Sequence, residues 1–296
     1  MDNFKTLTTI YKDGEFHPYE SVGIEFASQT TQYGFGAFEG IRAYQTANGT
    51  KLFKAIEHFE RLKSSCNQIY LPFEWDIPQL INDTYKLLEI NQIKNAYLRP
   101  LVYADHGMSM LASETSHIVI MAWQFEAYYG DDLLKTGISS YEKPNPNSSP
   151  VNAKITGNYI NSVLALSEAK RKGYDEAILL DMYGYVTESS SANIFIEKDG
   201  KLFTPAKGNI LTGITRNTVM QIAKQLDIEI EEKNITLNEL KNADAAFLCG
   251  TAVEIMGIQS VEDVSFPVSF SDSFGATIQR VYKNIVLDKL SFEVII

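Results

Sequence analysis

Cysteine is nearly missing from this sequence: Cys66 and Cys249 are the only two in 296 residues. Two thiols so far apart exclude a disulfide framework and a thiolate-rich zinc site. Both stand in apolar surroundings ("RLKSSCNQIYL", "AAFLCGTA") that suit buried, reduced thiols. Histidine is sparse too, and His17, His58, His106 and His117 fall without metal-ligand spacing, so no metal site is expected. Positive charge is in deficit: 26 Lys and Arg against 37 Asp and Glu leave a formal net charge of −11. That balance denies the chain the basic footprint of a nucleic-acid binder. No apolar run reaches the roughly 18 residues of a membrane span, and the opening "MDNFKTLTTIYKDGEF" has no hydrophobic signal core. The expectation is a cytoplasmic protein that engages neither nucleic acid nor membrane.

What is present is an ordinary globular composition, 45% hydrophobic and 21% charged, in a chain long enough for one large or two medium domains. Asp-Gly pairs in "TTIYKDGEFHPY" and "ANIFIEKDGKLFTP" stand between strand-like runs and predict two hairpins. Phe59, Leu62, Cys66 and Ile69 recur at helical spacing, so residues 55–71 read as a helix. A second helix starts at Asp76, a favourable N-cap with Pro78 in the first turn. It carries Leu80, Ile81, Thr84, Leu87 and Leu88 on one face. "AYLRPLVYA" and "HIVIMAWQF" read as strands, after which the chain loosens through "EAYYGDDLLKTG" and a Pro/Asn/Ser-rich connector. Beyond lies a helix ending at Gly173, with Lys170, Arg171 and Lys172 complementing its C-terminal dipole. Strands "EAILLD" and "ANIFIE", the helix "TRNTVMQIAKQLD" and the strand "AAFLC" follow. Hairpins and helices in both halves predict a two-domain α/β (or α+β) fold. The expected domains are 1–126 and 138–296, joined by a loop over 127–137.

Several polar residues then ask for a reason. Lys154, in "PNSSPVNAKITGNYINS", lies between the connector and a helix start. Neither flank supplies the usual run of solvated charges, so it is either an ordinary surface amine or a reactive one. In "NILTGITRNTVMQIAKQL" the stripe Val219, Ile222, Ala223 and Leu226 puts "GIT" at a helix N-terminus. Backbone N–H groups there, with the Thr215 hydroxyl, suit a phosphate; alternatively Thr215 only caps its helix. "AAFLCGTAVEI" ends a strand in Gly250-Thr251-Ala252, where a ligand can approach the backbone. Arg61, off its helix's apolar stripe, pairs either with Glu57 one turn back or with a phosphate. Glu188, in "GYVTESSSANIF", suits a solvated loop or the ring nitrogen of a heteroaromatic cofactor. "TTQYGFGAFEGIRAY" interleaves three glycines with Tyr33, Phe35, Phe38 and Tyr44. It reads as a closely packed aromatic strand or as an apolar pocket wall with one cation, Arg42. A lysine, a carboxylate, a phosphate cradle and an aromatic pocket are together the parts of a pyridoxal-phosphate enzyme.

Over essentially its whole length the chain resembles the fold-type IV pyridoxal-phosphate enzymes, and most closely the branched-chain amino acid aminotransferases. "YGFGAFEGIRAY", "HFERL", "AYLRPL", "HGMSM", "AKITGNYINS", "GYVTES", "ANIF", "LTGITR" and "GTAVEI" occur in family order with family-like gaps. The resemblance implies the two-domain fold of the D-amino acid aminotransferases, with pyridoxal 5′-phosphate as cofactor. It implies transamination of L-leucine, L-isoleucine and L-valine with 2-oxoglutarate, giving branched-chain 2-oxo acids and L-glutamate. It also implies a homodimer, or a higher homo-oligomer, whose site borrows residues from the neighbouring subunit. By the same resemblance Lys154 is the Schiff-base lysine, Glu188 the partner of the pyridine nitrogen and Tyr159 the donor to the ring oxygen. Arg61, Gly213, Ile214, Thr215 and Thr251 match the phosphate grip, and Leu211 the residue against the ring. Tyr33, Phe38, Gly40, Arg42, Tyr97, Arg99, Tyr128, Thr251 and Ala252 match the substrate pocket. In that family the counterpart of Arg99 receives the side-chain carboxylate of glutamate. The counterparts of Tyr97 and of the Thr251-Ala252 turn hold the α-carboxylate.

Two stretches depart from the family pattern. The glycine-rich run that usually follows the catalytic carboxylate is "SSSAN" here, and "GMSM" replaces Gly-Met-Gly. These departures leave D-amino acid or (R)-amine transaminases, aminodeoxychorismate lyase and a non-catalytic homologue as alternatives. Against the D-amino acid reading, "YLRPLVYADHG" has no arginine arrangement of the kind typical there; against a non-catalytic one, both Lys154 and Glu188 are retained.

Overall fold

The computed structural model describes residues 8–125 and 132–290. The chain divides into two units, residues 1–128 with 153–158 and residues 129–152 with 159–296.

The first unit is built on a seven-stranded sheet in the order Glu15–Pro18, Thr9–Lys12, Ser116–Gln124, Ala96–Ala104, Ile41–Thr46, Gly49–Leu52, with Gly36–Phe38 also paired to Ala96–Ala104. All of its pairings are antiparallel. The first hairpin turns at Asp13 and Gly14, with φ of 49° and 99°; a turn with both central residues in the left-handed region matches the twist of the flanking strands. Helices Ala55–Gln68 and Ile77–Ile90 pack on the sheet. The second begins as its sequence predicts, the Asp76 carboxylate accepting the Gln79 N–H at 2.9 Å. Phe59, Leu62, Leu80, Leu87 and Leu88 meet Ile41, Leu98, Val102, Ile118 and Ile120 in one core. Each such side chain contributes about 1.5–3 kcal/mol by leaving water. Cys66 lies in this core, and burial pushes its thiol up to about 12, as a buried reduced thiol requires.

The segment that carries Lys154 belongs to this unit, whereas the sequence places it in a C-terminal domain. Ile155 makes an antiparallel bridge with Ala37, and the Phe38 N–H donates to the Lys154 carbonyl at 3.0 Å. Gly34, at φ 67°, closes the short helix Gln29–Tyr33. A Cβ there would lie 2.9 Å from Gly157 Cα, so a glycine is what lets the two backbones meet.

In the second unit ten strands form one sheet. Asn193–Lys198, Ala245–Gly250, Glu254–Val261, Leu134–Ile138, Glu176–Leu180 and Tyr185–Ser189 follow in order, and the last pairs back onto the first through Glu188 and Asn193. The strand path therefore closes on itself at Glu188. Leu134–Ile138, most of which the sequence assigns to the linking loop, is instead an inner strand, parallel to both neighbours. A Cβ on Gly137 would lie 2.3 Å from the Tyr174 ring, so this strand needs glycine where a loop reading sees a breaker. The predicted Asp199-Gly200 hairpin is present, with φ of 49° and 74°. Helices Ile214–Gln225 and Phe274–Val286 pack on each other and on this sheet.

Candidate active site

The described residues singled out by sequence are divided between the two units. In the first unit the helix Ala55–Gln68 turns His58, Arg61, Leu62 and Ser65 to one face, since they are spaced i, i+3, i+4 and i+7. Glu57 takes Lys54 at 2.8 Å. Arg61 Nε and Nη2 donate to Glu39, at 2.6 and 2.9 Å. Glu39 sits in the step between strands Gly36–Phe38 and Ile41–Thr46, at 0% exposure. His58 Nδ1 lies 2.8 Å from the same carboxylate. Burial opposes ionisation of Glu39, but Arg61 and then His58 outweigh it and hold the carboxyl well below the usual carboxylate range. Burial likewise lowers the His58 pKa against the pull of Glu39, and a neutral ring then donates its Nδ1–H to the carboxylate. The sequence analysis gives neither Glu39 nor His58 a role in the site, although both fall within the motifs "YGFGAFEGIRAY" and "HFERL". The helical spacing of His58 to Arg61 is a local signal that could have joined the two.

Lys154 adjoins this group. Its backbone N–H donates to Ser65 Oγ at 2.9 Å, and its Nζ stands 4.8 Å from the centre of the Phe38 ring. Desolvation of the amine, reinforced by Arg61 and Arg99 and partly offset by Glu39, lowers the pKa of this half-buried lysine to about 8. The neutral amine is therefore populated near neutral pH, which is what a nucleophile or base requires. Arg99 stacks 4.6 Å from the Phe38 ring centre and donates from Nη2 to Tyr97 Oη at 3.0 Å. Arg99 Nε is buried with no hydrogen-bond partner, an orphaned donor that suits an anionic ligand. A Cβ on Gly40 would meet Tyr97 Oη at 2.2 Å, so Gly40 makes the room that this hydroxyl occupies. Arg42 is buried between aromatic rings, 4.9 Å from Tyr44 and 4.6 Å from Phe125. Tyr33 is 48% exposed and its hydroxyl donates to the Met108 carbonyl at 3.3 Å. Tyr128 lies outside the described residues.

In the second unit Glu188 is buried, so the solvated-loop reading falls. Its Oε2 accepts from Asn193 Nδ2 at 3.0 Å and from the Leu211 N–H at 3.2 Å, while its Oε1 pairs with Lys143. Asn193 Nδ2 also donates to the Leu211 carbonyl at 2.9 Å, tying this loop to the carboxylate. Lys143 and Asn193 were not foreseen. The asparagine ends the "SSSAN" run, so this departing stretch supplies a Glu188 partner. Thr215 is buried as the second residue of the helix Ile214–Gln225, whose N-cap is Gly213 without a side-chain cap bond; a capping role for Thr215 is thereby set aside. Thr251 and Ala252 are half-buried in the turn after Ala245–Gly250, and Tyr159 opens the helix Tyr159–Arg171.

A Cβ on Gly213 would lie 2.1 Å from Asn193 Oδ1. Gly213→Ala is therefore expected to displace the amide that steadies Glu188, at about 1–3 kcal/mol, the scale of overpacking. Urea denaturation reads this directly, and an unchanged midpoint would mean that the Asn193 position is not fixed by its contacts.

Among the described residues no group of three or more His, Cys, Asp or Glu is placed to hold a metal ion, and no helix is long and apolar enough to cross a membrane. The family model described as "Amino-transferase class IV" matches residues 36–261. A branched-chain-amino-acid aminotransferase of Pseudomonas aeruginosa is 37% identical over 286 residues, covering 95% of this chain and 93% of that protein. Among solved structures, the branched-chain aminotransferase of Thermoproteus uzoniensis with norvaline superposes with a TM-score of 0.91 at 35% identity, over 95% of each chain. A T.th. branched-chain amino acid aminotransferase, complexed with N-(5′-phosphopyridoxyl)-L-glutamate, superposes with a TM-score of 0.92 at 30% identity, over 96% of each chain.

Proposed function

The chain belongs to the class IV aminotransferases, pyridoxal 5′-phosphate-dependent transaminases, and from that premise we propose that it exchanges amino groups between branched-chain L-amino acids and 2-oxoglutarate. The observation that carries the reading is Lys154, an amine whose pKa is lowered to about 8 between the Phe38 ring and the Glu39–Arg61 pair. The names of the relatives support the branched-chain class, and the L-glutamate adduct in the T.th. structure supports the glutamate half-reaction.

The donor set suits the cofactor. Lys154 would join its aldehyde, Glu188 would hold its ring nitrogen protonated, and Tyr159 would donate to its ring oxygen. Arg61, Thr215 and Thr251 would take the phosphate with the N–H groups of Gly213 and Ile214, and Leu211 would lie against the ring. When bound, the cofactor supplies the electron sink that makes the substrate Cα–H acidic. Lys154 takes that proton and returns it, a task for which an amine titrating near pH 8 is better matched than one at 10.5. Lys143, Asn193 and the Leu211 N–H hold the Glu188 carboxylate in place.

The pocket has to accept an apolar side chain and a carboxylate in alternate half-reactions. Phe38 and Gly40, with Tyr33 and Tyr128, would form the apolar wall, worth about 0.8 kcal/mol for each methylene buried. Arg99, whose Nε has no partner, would receive the glutamate side chain, and Tyr97 with Thr251-Ala252 the α-carboxylate. Arg42, held among aromatic rings, would back this wall. Phe26, Tyr33, Met108, Met110 and Leu111 are 78%, 48%, 53%, 84% and 79% exposed in the first unit. An apolar surface of this kind suits a second copy in a cytoplasmic homodimer.

Single-turnover rates test the substrate assignment. L-leucine, L-isoleucine and L-valine are expected to be the best donors with 2-oxoglutarate, and D-alanine a poor one. Arg99→Ala should slow the glutamate half-reaction far more than the leucine half-reaction. Equal losses would move Arg99 to the α-carboxylate, and an (R)-amine or D-alanine outrunning leucine would overturn the branched-chain reading.

A further inference from the structure

Arg61 is a forked donor on a long, rotamer-rich side chain, and a phosphate gains directed hydrogen bonds from it only if the fork is held still. The first unit holds it by an unusual device, a carboxylate with no exposure to solvent. Glu39 Oε1 accepts from Arg61 Nε at 2.6 Å and Oε2 from Nη2 at 2.9 Å, the bidentate geometry that fixes a guanidinium plane. The carboxylate is itself fixed from two further directions. His58 Nδ1 lies 2.8 Å from Oε2, and the Gly40 N–H donates to the same oxygen at 3.2 Å. The Glu39 backbone is pinned as well, its N–H donating to the Pro100 carbonyl at 2.8 Å. His58 and Arg61 lie one turn apart on one helix face, so a single rigid element presents both to Glu39. Burying a carboxylate is costly unless every partner is in place, and a surface ion pair would satisfy Arg61 without that cost.

We propose that Glu39 is a positioning residue for cofactor binding: clamped by His58, it locks the Arg61 guanidinium in the orientation that grips the cofactor phosphate. The inference rests on the reading that Arg61 binds that phosphate. Because Glu39 neutralises the charge of Arg61 at close range, the arginine acts on the phosphate as an aimed pair of donors more than as a point charge.

The test is the affinity of the full-length apo-protein for pyridoxal 5′-phosphate relative to pyridoxal, which has no phosphate, read by fluorescence quenching. Arg61→Ala should lower the ratio of the two affinities by about 10- to 100-fold, the scale of a charged hydrogen bond. Glu39→Gln should lower the same ratio by about tenfold, and the ratio cancels the effect Glu39 also has on the Lys154 amine, which meets the aldehyde of both ligands. In the Arg61→Ala background Glu39→Gln should add nothing, since its effect passes through Arg61. An unchanged ratio in Arg61→Ala would overturn the phosphate reading itself. A lowered ratio there with an unchanged ratio in Glu39→Gln would overturn the positioning role alone, as would further loss in the double variant. Should Glu39→Gln fail to fold, Arg61→Lys decides, because it keeps the charge and one contact to Glu39 but not the fork. A fall approaching that of Arg61→Ala supports the proposal, and a wild-type ratio overturns it.

Discussion

Lys154→Ala is expected to lose turnover by at least the roughly 10²–10⁴-fold that a positioned acid–base group contributes, and more because the covalent attachment to cofactor goes with it. The reason is local. Phe38, Glu39, Arg61 and Arg99 surround the Lys154 amine, and burial with Arg61 and Arg99 lowers its pKa to about 8. The phosphate grip does not depend on Lys154, so the variant should still take up pyridoxal 5′-phosphate, without the covalent link. Steady-state rates with L-leucine and 2-oxoglutarate at saturating cofactor measure the effect. Near-normal transamination by Lys154→Ala would contradict the assignment.

The second large effect is expected at Glu188. Glu188→Gln keeps the shape of the side chain but removes the negative charge that would hold a ring nitrogen protonated. The loss of one aimed electrostatic contact in a buried site costs on the order of 10²–10³-fold in kcat. The same change leaves Lys143, at 15% side-chain exposure, without its carboxylate. Breaking such a pair costs up to about 3–5 kcal/mol, so stability should fall together with activity. Urea denaturation beside the kinetics separates the two: Lys143→Met should share the loss of stability, while only Glu188→Gln should reach the full loss of kcat. Full activity in a folded Glu188→Gln variant would remove Glu188 from the site.

Much of the fold was legible because it rests on local rules. The Asp-Gly turns at 13–14 and 199–200 require positive φ at both positions, and few residue pairs adopt it. Ala55–Gln68 and Ile77–Ile90 follow from apolar spacing, and the second from its cap. What stayed hidden is non-local. Leu134–Ile138 becomes a strand only through parallel pairing with Glu254–Val261 and Glu176–Leu180, which no nearby residue announces. Phe274–Val286 carries Ile278, Tyr282, Ile285 and Val286 on a buried face and was simply passed over. At the site, Lys154 and Glu188 draw their expected roles from family motifs, whereas Glu39, His58, Lys143 and Asn193 draw none. Glu39 looked like one more residue of an aromatic strand, and its meaning depends on His58 and Arg61 being brought to it by packing. Lys143 lay in a connector where a lysine needs no explanation, until the fold set it against Glu188.

The absorbance spectrum of the purified protein, followed through one round of substrate addition, tests the central claim most directly. Reconstituted with pyridoxal 5′-phosphate, the protein should be yellow, with a visible band that depends on Lys154. L-leucine alone should bleach that band, and 2-oxoglutarate added afterwards should restore it. A band that leucine leaves unchanged while D-alanine bleaches it, or no visible band at all in the reconstituted wild type, would contradict the account.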